Sequence, residues 1–318
     1  MYAAVVTAFG QPPRYQPFPD PSPADGEKLI RVLAAGLHPR VRSGAAGTHY
    51  TSDNTLPLVP GFDGVGLTED GTRVFFGGLK APNGSMAEYV AVPADALVEL
   101  PDGVDDATVA GAMNPAMSAW LALTRRTRLK PGENVLVLGA TGNAGQMAVQ
   151  LARLLGAKTV TAAGRDPQAL AKLPGMGADH TVSLAADDDT VARRLAETAA
   201  DADVVVDYLW GHPTETALAA LAAARTDAAH RLRWVHVGAM AGASITLPGA
   251  ALRKTNIDFR GSGQGSVSPA DMHTAHKDLA ARLPTAGLTI DTVTLPLSEA
   301  ETAWAAATPT GTRMVLLP

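Results

Sequence analysis

Val135-Leu136-Val137-Leu138-Gly139-Ala140-Thr141-Gly142-Asn143-Ala144-Gly145 runs from an unbroken apolar stretch through a glycine turn into a helical pattern. An apolar run of this length reads as a strand buried on both faces. Ala140, Gly142 and Gly145 then stand in the A-x-G-x-x-G spacing of a dinucleotide turn. Gly142 lets the backbone approach a pyrophosphate, Gly145 lets the helix pack closely on the strand, and the helix N-terminus offers N–H groups to the anion. Thr141, Gly142, Asn143 and Ala144 are therefore candidate cofactor contacts. Any tight strand-to-helix turn would use the same glycines, so the surroundings decide.

Downstream, apolar runs alternate with alanine-rich helical stretches, the pattern of βαβ units on a parallel sheet. Strands are expected at 134–138, 159–163, 180–184, 203–206, 234–237 and 257–260, with helices at 145–155, 167–173, 191–199 and 217–224. Six strands fit a doubly wound dinucleotide domain. The acidic run Asp187-Asp188-Asp189 reads as a solvated helix N-terminus. The second strand ends at Ala163-Gly164-Arg165, about 20 residues past the glycine turn, where an NAD enzyme places an acid on the ribose. The acid is missing there. Gly164 leaves room for a 2'-phosphate and Arg165 offers it a planar, permanently charged partner, which favours NADPH over NADH. Two other readings stand beside it: Arg165 pairs with Asp166, or Asp166 itself holds the ribose. Loops at the carboxyl ends of later strands face the nicotinamide crevice. They supply Val237, Gly238 and Ala239 as cofactor contacts and Trp210 and Met240 as pocket walls.

Upstream, the first third is rich in Gly and Pro, with short apolar runs at 28–33, 72–76 and 87–92, an irregular β domain. The apolar tail Arg313-Met314-Val315-Leu316-Leu317 is expected to rejoin it. At 318 residues the chain is long enough for two domains. The boundaries drawn are 1–117, completed by 265–318, and 118–264. Hydrophobic residues make up 46% and charged residues 18%, enough to build a core without disorder. A net charge of -5 argues against a nucleic-acid surface. The absence of cysteine excludes thiolate metal sites and a cysteine nucleophile. No stretch approaches a membrane span and the N-terminus lacks a basic, apolar leader, so a cytoplasmic location is expected. There is no G-x-S-x-G elbow and no Lys-[Ser/Thr] ending to the glycine loop, which argues against a hydrolase or nucleoside triphosphatase.

Further segments, in order, resemble the medium-chain dehydrogenase/reductase superfamily over nearly the whole chain. Ala34-Ala35-Gly36-Leu37-His38-Pro39 with Arg42-Ser43-Gly44 is similar to its A-x-G-[VI]-N-P and R-x-G segments. Pro60-Gly61-Phe62-Asp63-Gly64-Val65-Gly66 resembles the stretch that reads G-H-E in zinc members, and Gly84-Ser85-Met86-Ala87-Glu88-Tyr89 the G-x-[FY]-A-E-Y stretch. Met117-Ser118-Ala119-Trp120 and Leu129-Lys130-Pro131-Gly132-Glu133-Asn134-Val135-Leu136 resemble the helix and the K-x-G-[ED]-x-V-L entry into the nucleotide fold. The resemblance implies a GroES-like irregular β catalytic domain plus a six-stranded Rossmann domain, and within the superfamily the zinc-free quinone oxidoreductase or enone reductase branch. The zinc positions of other members correspond to His38, Phe62 and Asn114, and Phe62 breaks the triad that a catalytic zinc needs.

Without a Lewis acid, the expected acceptors are quinones and α,β-unsaturated carbonyls, whose acceptor carbon is already electrophilic. Donors must meet the carbonyl oxygen as charge develops on it. Tyr50 and His38 are the catalytic candidates, against plain roles as a pocket wall and a buried loop-tying histidine. Asn114, Asp63 and Gln264 join Trp210 and Met240 in the substrate pocket; an ordinary helix-start role for Asn114, before Pro115, stays open. Gly263, in Gly261-Ser262-Gly263-Gln264-Gly265, is either a nicotinamide contact or part of a hinge. His273 and His276 read as a solvated helix face. A strand at Ile245–Leu247 would pair edge to edge in a homodimer. Two rival functions remain: a non-redox NADPH sensor, and an enone reductase dedicated to secondary metabolism.

Overall fold

The computed structural model describes residues 1–52 and 55–318. The chain divides into two compact units, one of Met1–Asn114 with His276–Pro318 and one of Pro115–Ala275. In chain order the elements are β1 (Tyr2–Val5), β2 (Arg14–Pro17), β3 (Glu27–Leu37), α1 (Pro39–Ala45), β4 (Asp63–Leu67), β5 (Arg73–Gly77), β6 (Tyr89–Pro93), β7 (Val98–Glu99) and α2 (Asp106–Leu121). There follow β8 (Asn134–Leu138), α3 (Asn143–Leu154), β9 (Thr159–Gly164), α4 (Pro167–Lys172), β10 (His180–Ser183), α5 (Asp188–Ala199), β11 (Val204–Asp207) and α6 (Gly211–Ala224). The last are β12 (Leu232–His236), α7 (Gly249–Lys254), β13 (Ile257–Gly261), α8 (Pro269–Arg282), β14 (Asp291–Pro296), α9 (Ala300–Ala305) and β15 (Thr312–Leu317).

Pro115–Ala275 is built on one parallel sheet in the order β10-β9-β8-β11-β12-β13, the 3-2-1-4-5-6 winding of a dinucleotide fold. Its β11, and β8 from Val135 onward, are buried because helices cover both faces, which is why their sequences are continuous apolar runs rather than alternating ones. Leu136, Leu138, Val205 and Trp234 fill one side of this core. Helices start earlier than their apolar pattern: α3 at Asn143, α5 at Asp188 and α6 at Gly211. Asp187 caps α5 by accepting from Thr190 N.

The expected strand at Ile245–Leu247 is absent: residues 245–247 are irregular, and Thr246 N donates to the Glu215 carboxylate on α6 instead of to a neighbouring strand. The edge of the sheet is β13.

In the other unit β3 is the central strand, pairing with β4, β6 and β15, within the sheet order β14-β15-β3-β4-β5-β7. The apolar tail therefore does return to the first domain, as β15, between β14 and β3. Asn114 is not at a helix start: α2 runs straight through Pro115. Proline removes one helical hydrogen bond, but Val109, Met113, Ala116 and Trp120 are all buried along this helix, and their packing outweighs the loss. No helix among the described residues is long and apolar enough to cross a membrane.

Candidate active site

The turn from β8 to α3 is shaped by three glycines with different duties. Gly139 has φ +84, the left-handed region that disfavours side chains, and its N–H and that of Ala140 both bond to Ala163 O at 2.9 Å, pinning the turn to β9. A Cβ on Gly145 would lie 2.2 Å from Gly139 O, so only glycine lets α3 sit this close to the strand. Gly142 is different. It is the N-cap of α3 in extended conformation, and a Cβ there would meet nothing nearer than Gly139 O at 3.7 Å. Internal packing does not demand a glycine at that point, and no side chain caps the helix. The open backbone and the uncapped first turn of N–H groups make a cradle that fits a pyrophosphate. Thr141 is held beneath it, with Gln146 Nε2 donating to its carbonyl at 3.2 Å.

Gly164, the last residue of β9, is needed for an internal reason. A Cβ there would fall 2.4 Å from Thr141 Cγ2, so the glycine makes room for Thr141. Arg165 is exposed, and no ion pair engages it among the described residues. Asp166 is the N-cap of α4, accepting from Ala169 N at 2.9 Å, which gives its carboxylate a structural task.

At the carboxyl ends of β11 and β12 the loops are organised by Asp207, which is fully buried. Its carboxylate accepts from Leu209 N (2.8 Å), Trp210 N (3.0 Å), Thr214 Oγ1 (2.6 Å) and Trp234 Nε1 (3.1 Å). The turn it holds puts Trp210 at φ 56, ψ -171, a region otherwise kept by glycine. The indole rests edge-on against His236, ring centroids 4.3 Å apart. His236 Nε2 is buried without a hydrogen bond, and burial lowers its pKa. Gly238 passes so close to Tyr208 that a Cβ would meet its carbonyl at 3.0 Å, and Val237 N bonds to Asp207 O. Ala239 and Met240 are less enclosed, Met240 being 68% exposed. Gly263 closes a small turn with Ser266, its N–H donating to Ser266 Oγ at 2.8 Å and its carbonyl accepting from Ser266 N at 3.0 Å. Gln264 is exposed on that turn.

The polar cluster of the other unit gathers from three elements. His38 is the residue between β3 and α1, Asp63 opens β4, and Asn114 lies on α2. His38 and Asp63 are each 2% exposed. His38 Nε2 makes a long 3.4 Å contact with Asp63 Oδ1, and Asn114 Nδ2 donates to Oδ2 at 3.1 Å. Since a carboxylate only accepts, the shared hydrogen belongs on Nε2, and His38 Nδ1 is left buried with no hydrogen bond. Burial on its own pushes the Asp63 carboxyl up, but the adjacent His38 and the hydrogen bonds from His38 and Asn114 outweigh it and hold it below the usual carboxylate range. Tyr50 is 71% exposed and stacks on His49 with centroids 4.4 Å apart. His276 is half-buried against Phe75, 4.9 Å between centroids, rather than on a solvated face.

Comparison with known proteins bears on the whole chain. A family model described as zinc-binding dehydrogenase matches residues 144–281. A protein of Emericella nidulans named "Probable NADPH-dependent quinone reductase tdiC" is 32% identical, with 100% of both chains covered. The chain belongs to the medium-chain dehydrogenase/reductase superfamily. The human protein named quinone oxidoreductase is 34% identical over 52% of this chain and 54% of its own. The quinone oxidoreductase of Thermus thermophilus, whose structure was also solved in complex with NADPH, superposes with a TM-score of 0.82 at 30% identity over 100% of each chain.

Within this superfamily frame, Phe62 contributes no donor atom at its position and instead carries the Arg40 guanidinium over its ring, 3.5 Å from the centroid. Among the described residues no three His, Asp or Glu side chains gather as a metal site. Three further residues of consequence are not among those the sequence pointed to. Gly139 had a visible signal, as the first glycine after the strand. Asp207 carries only the weak signal of an acid ending an apolar run. Arg40 carries none, because its partner Phe62 is distant in sequence.

Proposed function

We propose that this superfamily member is an NADPH-dependent oxidoreductase that reduces quinones or α,β-unsaturated carbonyls without zinc. The observation that carries the reading is the Gly142 cradle beside a β9 end that presents Arg165 and no free acid, Asp166 being engaged as the cap of α4. Thr141, Gly142, Asn143 and Ala144 would receive the pyrophosphate, and Arg165, following the Gly164 backbone at the end of β9, the 2'-phosphate; the side-chain space at Gly164 itself is taken by Thr141. Val237, Gly238, Ala239 and Gly263 would line the nicotinamide end. When bound, NADPH supplies a hydride from its nicotinamide ring. Tyr50 then serves the acceptor's carbonyl oxygen as a hydrogen-bond donor, and His38, whose Nε2–H is held by Asp63, would donate from Nδ1 only with both ring nitrogens protonated, Asn114 in turn fixing the Asp63 carboxylate. Trp210, Met240 and Gln264 would complete the walls that choose the acceptor.

The test is turnover of NADPH and NADH with 9,10-phenanthrenequinone and with a simple enone, on the wild type and on Arg165→Ala. Preference for NADPH, lost in Arg165→Ala through at least a tenfold weaker NADPH affinity, is the expected result (about 1.4 kcal/mol). Tight NADPH binding with no turnover on any acceptor would replace the reductase by a cofactor sensor. We further propose a homodimer through the edge of β13, since an uncovered sheet edge invites pairing. Sedimentation equilibrium giving the monomer mass at micromolar concentration would refute it.

A further inference from the structure

A phosphate on the adenosine ribose cannot use the space at Gly164, since a Cβ there would already lie 2.4 Å from Thr141 Cγ2 and 2.8 Å from Thr141 Oγ1. It has to sit past the strand ends, where the exposed Arg165 follows. The neighbour of β9 on the side away from the glycine turn is β10, the edge strand of the sheet. The two pair in parallel, and Ser183, the last residue of β10, stands level with Gly164. Strand partners in register present their side chains to the same face. The faces of β9 and β10 are told apart by their contacts. Thr161 Oγ1 donates to Thr198 O on α5, and Ala163 and Val182 share a core cluster with Val191 and Leu195 of α5. Gly164 and Ser183 alternate with these residues and so face the other way, the side on which Thr141 sits. Ser183 is exposed there. Among the described residues its Oγ accepts from Ala185 N at a long 3.4 Å and donates to no partner, which leaves its O–H for a ligand. Of the acids that follow, Asp187 is occupied as the cap of α5 and Asp188 accepts from His212 Nε2 at 2.9 Å, while Asp189 is exposed on α5.

We infer that Ser183 is a second ligand of the NADPH 2'-phosphate, donating its hydroxyl to one phosphate oxygen while the Arg165 guanidinium holds another. This rests on the NADPH site proposed above. A phosphate offers several acceptor oxygens, so a planar guanidinium and a hydroxyl bind it together, and an O–H donating to an anionic oxygen is among the stronger hydrogen bonds. The two ligands come from adjacent strand ends, which the ladder holds about 4.8 Å apart. That separation suits one phosphate bridging them, with no loop having to close. With a bare 2'-hydroxyl, Arg165 has no anion to pair with and Ser183 gains only a neutral hydrogen bond. Both residues therefore contribute to choosing NADPH over NADH.

Calorimetric titration with adenosine 2',5'-bisphosphate and with adenosine 5'-monophosphate tests this without turnover. The wild type should bind the bisphosphate more tightly by about tenfold or more. Ser183→Ala should weaken the bisphosphate by about tenfold, the size of one hydrogen bond to a charged group, and change the monophosphate by less than about twofold. Ser183→Thr keeps the hydroxyl and should stay within about threefold of the wild type on both nucleotides. Ser183→Asp sets a carboxylate against the phosphate and should reverse the preference, with the monophosphate bound more tightly than the bisphosphate and, by cofactor fluorescence, NADH more tightly than NADPH. All three variants should keep the wild-type circular dichroism. An unchanged bisphosphate affinity in Ser183→Ala, or an equal loss on both nucleotides, overturns the role of Ser183, and a bisphosphate affinity still lowered by Arg165→Ala then leaves the NADPH site in place. A wild type that binds the two nucleotides equally removes the 2'-phosphate site itself, and Ser183 with it.

Discussion

At the scale of single residues, glycines that look alike in the sequence separate by what their missing side chains make possible. Gly145 is a packing requirement, so Gly145→Ala forces backbone apart and should cost about 1–3 kcal/mol of stability, read as a lowered Tm. Gly142→Ala should leave Tm within about 1 °C, a negligible stability change by the usual scaling, while weakening NADPH binding by roughly tenfold, read by cofactor fluorescence titration. Equal effects of the two substitutions on Tm would contradict this division. Gly164 shows the limit of reading residue types one at a time, because its vacancy is filled from inside by Thr141. Asp63 yields a pH prediction. Its folded carboxyl is held below the usual value of about 4, so the stability it contributes is present above that value and disappears as pH falls through the lowered one. Thermal melts from pH 6 down to pH 3 should therefore fall more steeply for the wild type than for Asp63→Asn. Parallel curves would mean that the carboxylate is not favoured by folding.

At the scale of elements, the parallel strands were legible because burial on both faces writes itself as an unbroken apolar run. Helix starts were less so where the first turns carry little apolar signal, as in α3 and α6, whereas the acidic run Asp187-Asp188-Asp189 did mark the start of α5. Ile245–Leu247, expected as an edge strand, holds two β-branched residues, Ile245 and Thr246, beside a leucine, but no strand of the same chain pairs with it. The β11–α6 junction holds Trp210, one of two non-glycine residues with positive φ among the described residues. Trp210→Ala and Trp210→Gly both remove the indole, but only glycine occupies the φ 56, ψ -171 region without strain. The glycine variant should be more stable than the alanine variant by about 1–3 kcal/mol, a difference visible in denaturant midpoints. Alanine equal to glycine would show that this backbone stores no strain.

At the scale of the molecule, the unit made from both ends of the chain depends on its last strand. β15 lies between β14 and β3, bonded on both sides, so deletion of residues 312–318 should expose two strand edges and abolish the cooperative unfolding of Met1–Asn114 with His276–Pro318. Near-UV circular dichroism and thermal melts of the shortened chain check this, and native-like melting would refute it. The amino-acid sequence by itself determined the six-stranded winding and the glycine turn, because both rest on local periodicity and on backbone geometry that only certain residues permit. Tertiary structure alone decided what surrounds the buried polar groups of the candidate site. His38, Asp63 and Asn114 come from the end of β3, from β4 and from α2, and Arg40 meets Phe62 only once α1 and β4 are in place. The physical reason is that charge stabilisation and hydrogen bonding depend on distances of a few ångströms between segments far apart in the chain, and no local pattern of residues encodes those distances.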